Sequence, residues 1–248
     1  MTFLLRPLVA AALASLATVA VAAPEPGTHI AFVGERVSVV EVNPCDRDEP
    51  MRAGESISEA CERVDPGAVG TATTVESEDG QVLEAIRMPP FDHVFKARYR
   101  VVEPLAGIVP GPELEFYIAD HYGTPAFSAW PNALLVVTLD DGEAYLQKYI
   151  ASSAHPLRDG GWAVCGPLSL GEHESPPPRE LEFARPMRDM RGEDPAWIEE
   201  MRAEPDLRVE GNALYCRRGL PVEEALDYLR NGVLKAREVS LEPAPAKS

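Results

Sequence analysis

Two Asp-His dipeptides, Asp92-His93 and Asp120-His121, are the clearest candidates for chemistry in the sequence. The first precedes an alternating apolar and polar stretch, and the second follows the next such stretch. In an antiparallel pair, the start of one strand lies beside the end of its neighbour, so we expect the dipeptides to be adjacent. Imidazole and carboxylate groups can hold a metal ion or form an acid–base pair. Because neither dipeptide has a second spaced ligand nearby, we favour simple hydrogen bonding at strand ends. The alternative is that these four residues form the metal site of a metal-dependent hydrolase.

A long loop over residues 120–132 holds the second candidate site. It carries three aromatic side chains, Tyr122, Phe127 and Trp130. On the surface they would form an apolar patch that binds a protein or a glycan. Packed inwards, they would instead close the open end of a small barrel. We favour the inward packing, because small barrels fill their interiors and mouths with side chains, and the surface patch is the alternative.

Standard catalytic motifs are missing from the sequence. It contains no G-x-S-x-G elbow, no H-E-x-x-H, no P-loop and no G-x-G-x-x-G. We therefore expect no cofactor and assign no catalytic residue. A binding or inhibitor-like module is favoured over an enzyme, with the metal-dependent hydrolase as the alternative.

The N-terminus has the pattern of an export signal. Arg6 precedes an apolar, Ala-rich run over residues 8–21, and Ala20-Val21-Ala22 is a small-x-small cleavage site. Because the run is short and the cleavage site follows at once, residues 1–22 are predicted to be a signal peptide and not a membrane span. The mature protein would then start at Ala23, lack a transmembrane segment, and be periplasmic or secreted.

The charge of the chain limits its partners. Asp and Glu number 40 against 23 Lys and Arg, which gives a formal net charge of −17. This balance opposes binding to nucleic acid or to an anionic membrane surface. The expected partner is an unidentified protein or surface ligand.

Four cysteines, Cys45, Cys61, Cys165 and Cys216, are present. In an exported protein the default expectation is two disulfides, and three pairings are possible. We favour Cys45–Cys61 and Cys165–Cys216, because each closes a local unit. A four-thiolate metal site is the alternative, and the lack of a C-x-x-C pair argues against it.

A strand over residues 91–107 is the clearest element of the sequence. Its apolar and basic residues alternate with a period of two, as a half-buried strand requires. The next strand, residues 113–118, can set Glu113 and Glu115 opposite the basic face. We expect a charge-paired outer face, with a site for an acidic partner as the alternative. The basic residues are Lys96, Arg98 and Arg100.

The remaining pattern places strands first and helices last. An insertion over residues 43–90 interrupts the strands, with a capping-box helix and a hairpin that turns at Asp79-Gly80. Two helices are predicted in residues 171–248, one starting at Asp194-Pro195 and one over residues 221–230. The tail from Glu242 is predicted to be disordered. The other predicted strands are residues 29–42, with a bend at Gly34, residues 134–139, and residues 144–150.

This order predicts a mainly β protein: a small antiparallel OB-like barrel over residues 23–170, with the insertion, followed by a helical extension. One strand has the core Ala31-Phe32-Val33-Gly34, and an aromatic-basic strand ends at Gly107. With the strands that follow, this pattern resembles the tissue inhibitors of metalloproteinases and netrin-like modules, as found in secreted bacterial proteins. Those inhibitors chelate the protease zinc with an N-terminal Cys-x-Cys. Here the mature start is Ala23-Pro24-Glu25, so the resemblance implies the fold and not that activity.

Overall fold

The computed structural model describes residues 27–66, 72–76, 82–86, 92–168 and 175–244. The predicted signal peptide and the turn at Asp79-Gly80 lie outside these residues. The protein is mainly β: of the residues that the structure describes, 48% lie in strands and 19% in helices. Among the described residues, no helix is long and apolar enough to cross a membrane.

The secondary structure follows the predicted order, with additional short strands. The strands are β1 (Thr28–Asn43), β2 (Asp46–Pro50), β3 (Ala72–Glu76), β4 (Val82–Ile86), β5 (His93–Ala106), β6 (Glu113–Asp120), β7 (Asn132–Asp140), β8 (Glu143–Pro156), β9 (Trp162–Cys165), β10 (Arg179–Glu180), β11 (Arg188–Asp189), β12 (Leu207–Glu210), β13 (Ala213–Cys216) and β14 (Arg218–Pro221). The helices are α1 (Ile57–Val64), α2 (Pro195–Ala203), α3 (Val222–Asn231) and α4 (Val233–Ala236), with a short 3-10 helix (Ala126–Ala129) in the aromatic loop.

Five strands pair in a ring. β1 pairs with β5 and β7, β5 pairs with β6, and β7 pairs with β8, all antiparallel. The ring closes where β6 and β8 run parallel and share one residue pair, Tyr117 and Tyr145. The predicted bend in β1 is present as a register shift between Val33 and Gly34. A Cβ atom at Gly34 would lie 2.8 Å from the ring of Phe32, so a glycine is required there.

The apolar run of β7 is buried on both sides, as predicted. Leu135 and Val137 face the cluster inside the ring, and Leu134 and Val136 face a second cluster that includes α3. A strand covered on both faces reads as a continuous apolar run rather than an alternating one. The predicted apolar stripe of α3 is buried in full: Val222, Ala225, Leu226 and Leu229.

The C-terminal part differs from the expected helical extension. β8 continues to Pro156 and pairs with β9, which pairs with β14 and extends the main sheet. The predicted disorder of the tail is wrong at its start. The carbonyl oxygen of Glu242 accepts a hydrogen bond from the Gly107 amide at 2.7 Å, and Pro243 bridges to Ala106. Isolated patterns could not reveal this pairing, because its partner lies more than a hundred residues away in the chain.

Both favoured disulfides are present. Cys45–Cys61, the insertion disulfide, joins residues whose Cα atoms are 5.2 Å apart, and it ties α1 to the end of β1. Cys165–Cys216, the C-terminal disulfide, has a Cα separation of 5.7 Å and joins β9 to β13. The short strand β2, which pairs with β1 beside the insertion disulfide, was not predicted, because its charged sequence carries no apolar alternation.

The basic face of β5 is charge-paired, as expected. Lys96 lies 3.5 Å from Glu115, and Arg98 and Arg100 each lie 3.9 Å from Glu113. These side chains are largely exposed, so each pair contributes about 0–1 kcal/mol. The face is therefore a solvated outer wall of the ring.

Candidate functional site

The two Asp-His dipeptides lie side by side, as the sequence predicts. His93 on β5 is the register partner of Asp120 on β6. Their side chains, however, form two separate pairs. Nδ1 of His121 lies 3.3 Å from Oδ1 of Asp92, and Nδ1 of His93 lies 2.6 Å from Oε1 of Glu41 on β1. Sequence reasoning missed Glu41, because only the pairing of β1 with β5 brings it there.

Within the described ranges, no group of three or more His, Cys, Asp or Glu side chains is arranged to hold a metal ion. The His121 and Asp92 side chains are 58% and 40% exposed, so water competes for their hydrogen bonds. This arrangement matches the favoured interpretation, in which the dipeptides form hydrogen bonds at strand ends. The metal site at Asp92, His93, Asp120 and His121 stays a hypothesis.

The aromatic loop divides its side chains between core and surface. Phe127 is only 5% exposed and belongs to the cluster inside the ring, whereas Tyr122 is 87% exposed. Tyr99 holds the loop in place by donating a hydrogen bond to the Phe127 carbonyl oxygen at 3.2 Å. Trp130 is partly buried against the same cluster. A surface patch of all three aromatic residues therefore does not form, because Phe127 fills the end of the ring.

A cavity opens where the ring is closed most weakly. β6 and β8 diverge on either side of the pair Tyr117–Tyr145, and the aromatic loop covers one side of this opening. We call this space the seam cavity; its volume is about 180 Å³. It is lined by Ile118, Ala119, Asp120, Pro125, Ala126, Phe127, Trp130, Leu146, Lys148, Tyr149 and Ala151.

Tyr149 occupies an unusual backbone conformation at the edge of the seam cavity. Its φ angle is +62°, in the left-handed region that residues other than glycine rarely adopt. The nearby register of β7 with β8 shifts between Leu135 and Val137, as at a β-bulge. Bulges redirect side chains, and backbone strain of this kind is concentrated at functional sites. The side chain of Tyr149 is 49% exposed and lines the cavity.

The polar groups of the seam cavity are few. The ammonium group of Lys148 lies 5.3 Å from the centre of the Tyr149 ring. Arg237, which follows α4, donates a hydrogen bond to the Lys148 carbonyl oxygen at 2.8 Å. On the other strand, Oδ1 of Asp120 accepts a hydrogen bond from the Tyr122 amide at 2.8 Å. The cavity thus combines an apolar wall with one cation and one anion at its edge.

No protein-family model, no curated protein and no solved structure matches this chain. The resemblance to the tissue inhibitors of metalloproteinases and netrin-like modules therefore stays a prediction.

Proposed function

We propose that this protein is an exported, non-enzymatic binding module built on an OB-like barrel. The five-stranded ring supports this proposal, because an OB fold is a five-stranded, partly open barrel. The two disulfides, Cys45–Cys61 and Cys165–Cys216, fit an oxidising compartment outside the cytoplasm. The partner is a protein or surface ligand that places an apolar group in the seam cavity.

The observation that carries the proposal is the composition of the seam cavity. Ligand sites are concave, mostly apolar, and contain a small number of polar groups that fix orientation. Ile118, Phe127 and Leu146 supply the apolar wall, and Lys148 and Asp120 supply the polar groups. A cavity of roughly 150 Å³ accepts benzene, so a volume of about 180 Å³ suits one ring or one apolar side chain.

Trp130 offers a direct test, because it lines the cavity and is one of three tryptophans. Replacing Trp162 and Trp197 with phenylalanine leaves Trp130 as the sole tryptophan fluorophore. Titration with the neutral probe 3-phenyl-1-propanol should then change its emission in a saturable manner. Binding of this probe would support an apolar site at the seam.

A cavity-filling variant tests whether the probe binds inside the seam cavity. Ala151→Leu puts a larger side chain into the cavity and should weaken probe binding about tenfold or more, since roughly 1.4 kcal/mol lost corresponds to a factor of ten. Ala129→Leu is the matched control, because Ala129 is exposed in the same loop and does not line the cavity. Ala126→Leu is a second filling variant if Ala151→Leu unfolds. Equal probe binding by the filling variants and the control would contradict the proposed site.

A further inference from the structure

We propose that the seam cavity selects an apolar or aromatic group that carries a carboxylate. Two sources share this chemistry: a free arylalkanoic acid, and the C-terminal residue of a peptide that ends in an aromatic side chain. The inference rests on the proposed function, and it adds the charge of the ligand to the apolar recognition already described.

A cation without an acidic partner among the described residues, Lys148, lies at the edge of the cavity. Lys148 is exposed, and within the part of the chain that the structure describes it has no carboxylate within ion-pair distance. The basic residues of β5, in contrast, all have acidic partners. In a chain with a net charge of −17, a lysine left without an acid beside an apolar cavity is available to a ligand.

The ring of Tyr149 holds the Lys148 cation at the cavity. The Lys148 ammonium group lies 5.3 Å from the Tyr149 ring centre, a distance at which cation–π attraction acts. Arg237 brings a second positive charge to the same strand by its hydrogen bond to the Lys148 carbonyl oxygen. Within the described residues, Arg237 also lacks an acidic partner. The β8 edge of the cavity therefore carries the positive charge of Lys148.

Asp120 opposes this charge from the other strand. One of its carboxylate oxygens is engaged by the Tyr122 amide, and the residue lines the cavity. A ligand carboxylate is repelled from Asp120 and attracted to Lys148, so the two residues orient it towards β8. A second expectation follows for Asp120→Asn, which should strengthen the binding of an anionic ligand relative to that of a neutral one.

Three probes with the same phenylpropyl group separate charge from apolar burial. They are 3-phenylpropanoate, 3-phenyl-1-propanol and 3-phenylpropylammonium, each titrated against the protein with Trp130 as its sole tryptophan. The propanoate should bind about fivefold more tightly than the alcohol, as one partly exposed ion pair allows. It should also bind more tightly than the ammonium, which Lys148 repels. Lys148→Gln should remove the preference for the propanoate over the alcohol.

Lys235→Gln is the matched control, because Lys235 is exposed on α4 and does not line the cavity. It removes the same charge and should preserve the preference. Gly-Gly-Phe with a free carboxylate and its C-terminal amide distinguish the two sources. If the free peptide binds tightly and its amide does not, the ligand is the C-terminus of a peptide. If only the propanoate binds, the ligand is a small acid.

The outcomes separate the two proposals. If none of the three phenylpropyl probes binds, the proposed function is wrong. If the alcohol binds and the propanoate binds no better, or if the ammonium binds most tightly, the cavity is an apolar site and only the charge selection is wrong. A preference that survives Lys148→Gln would also overturn the role of this lysine.

Discussion

Lowering the pH towards 4 places a proton on His155 in the unfolded chain but not in the folded protein. His155 lies on β8, is 8% exposed, and packs edge to face against Phe183. Its Nε2 atom is 2.9 Å from the hydroxyl oxygen of Ser153. Burial lowers the pKa of His155 from 6.5 to about 4, because the low-dielectric interior disfavours the charged imidazolium.

The pKa of His155 differs between the folded and the unfolded chain, and this difference makes the free energy of unfolding depend on pH. A base whose pKa is lower in the folded state binds its proton more readily when unfolded, so stability is complete above pH 6.5 and falls between pH 6.5 and about 4. At about 1.4 kcal/mol for each pKa unit, the loss is about 3 kcal/mol. This is a large fraction of the stability of an ordinary domain.

Urea unfolding at several pH values between about 7.5 and 4.5 measures the effect as a free energy of unfolding. Carboxylates also titrate in this range, so the informative quantity is the difference between the wild-type protein and His155→Gln, which keeps an uncharged polar group beside Ser153. The wild-type protein should lose up to about 3 kcal/mol more than the variant. Ser153→Ala should keep the wild-type pH dependence, because burial and not the hydrogen bond lowers the pKa. Parallel curves for wild type and His155→Gln would refute this reasoning.

Two further predictions concern stability. Replacing both cysteines of the insertion disulfide with alanine should lower the free energy of unfolding by about 3 kcal/mol, and the same change at the C-terminal disulfide should lower it by about 4 kcal/mol. The second loss is larger because the sequence separations are 16 and 51. Urea unfolding of both variants measures the two losses, and the reverse order would contradict the chain-entropy model. Gly107→Ala should destabilise by more than about 1 kcal/mol, because Gly107 has a φ of +68° and a Cβ atom would lie 2.6 Å from the His29 carbonyl oxygen. Gly142→Ala is its control, with a φ of +84° and open space around the Cβ position, so an equal drop in thermal midpoint for both variants would show that the close contact adds nothing.

The local elements could be predicted because their signals lie within short windows. Ser56 and Glu59 form the predicted capping box of α1, and Asp194 caps α2 as expected. The antiparallel order of β5 and β6 predicted that the two Asp-His dipeptides would be adjacent, and the register partners His93 and Asp120 confirm it. Each of these features depends on residues that are near in sequence, or on one hairpin, so chain order is sufficient to predict it.

The candidate site was only partly predictable. Residue type singled out Tyr122, Phe127 and Trp130, but it could not tell that Phe127 enters the ring while Tyr122 remains in solvent. Lys148 and Tyr149 carry no motif, and the sequence places them only in the strand over residues 144–150. Their importance arises from a bulge and from the opening between β6 and β8, and neither feature has a local sequence signature.

The sequence by itself determined the mainly β class and the alternating faces of the strands, and it favoured the paired basic wall and one of three possible disulfide pairings. These follow from the two-residue period of a strand and from the chemistry of the side chains. Only the tertiary structure decided that the tail at Glu242 is held against β5 and that β6 and β8 close the ring through Tyr117 and Tyr145. Pairing between distant segments depends on how the whole chain buries its apolar surface, so a cavity left at such a seam appears only once every strand is in place.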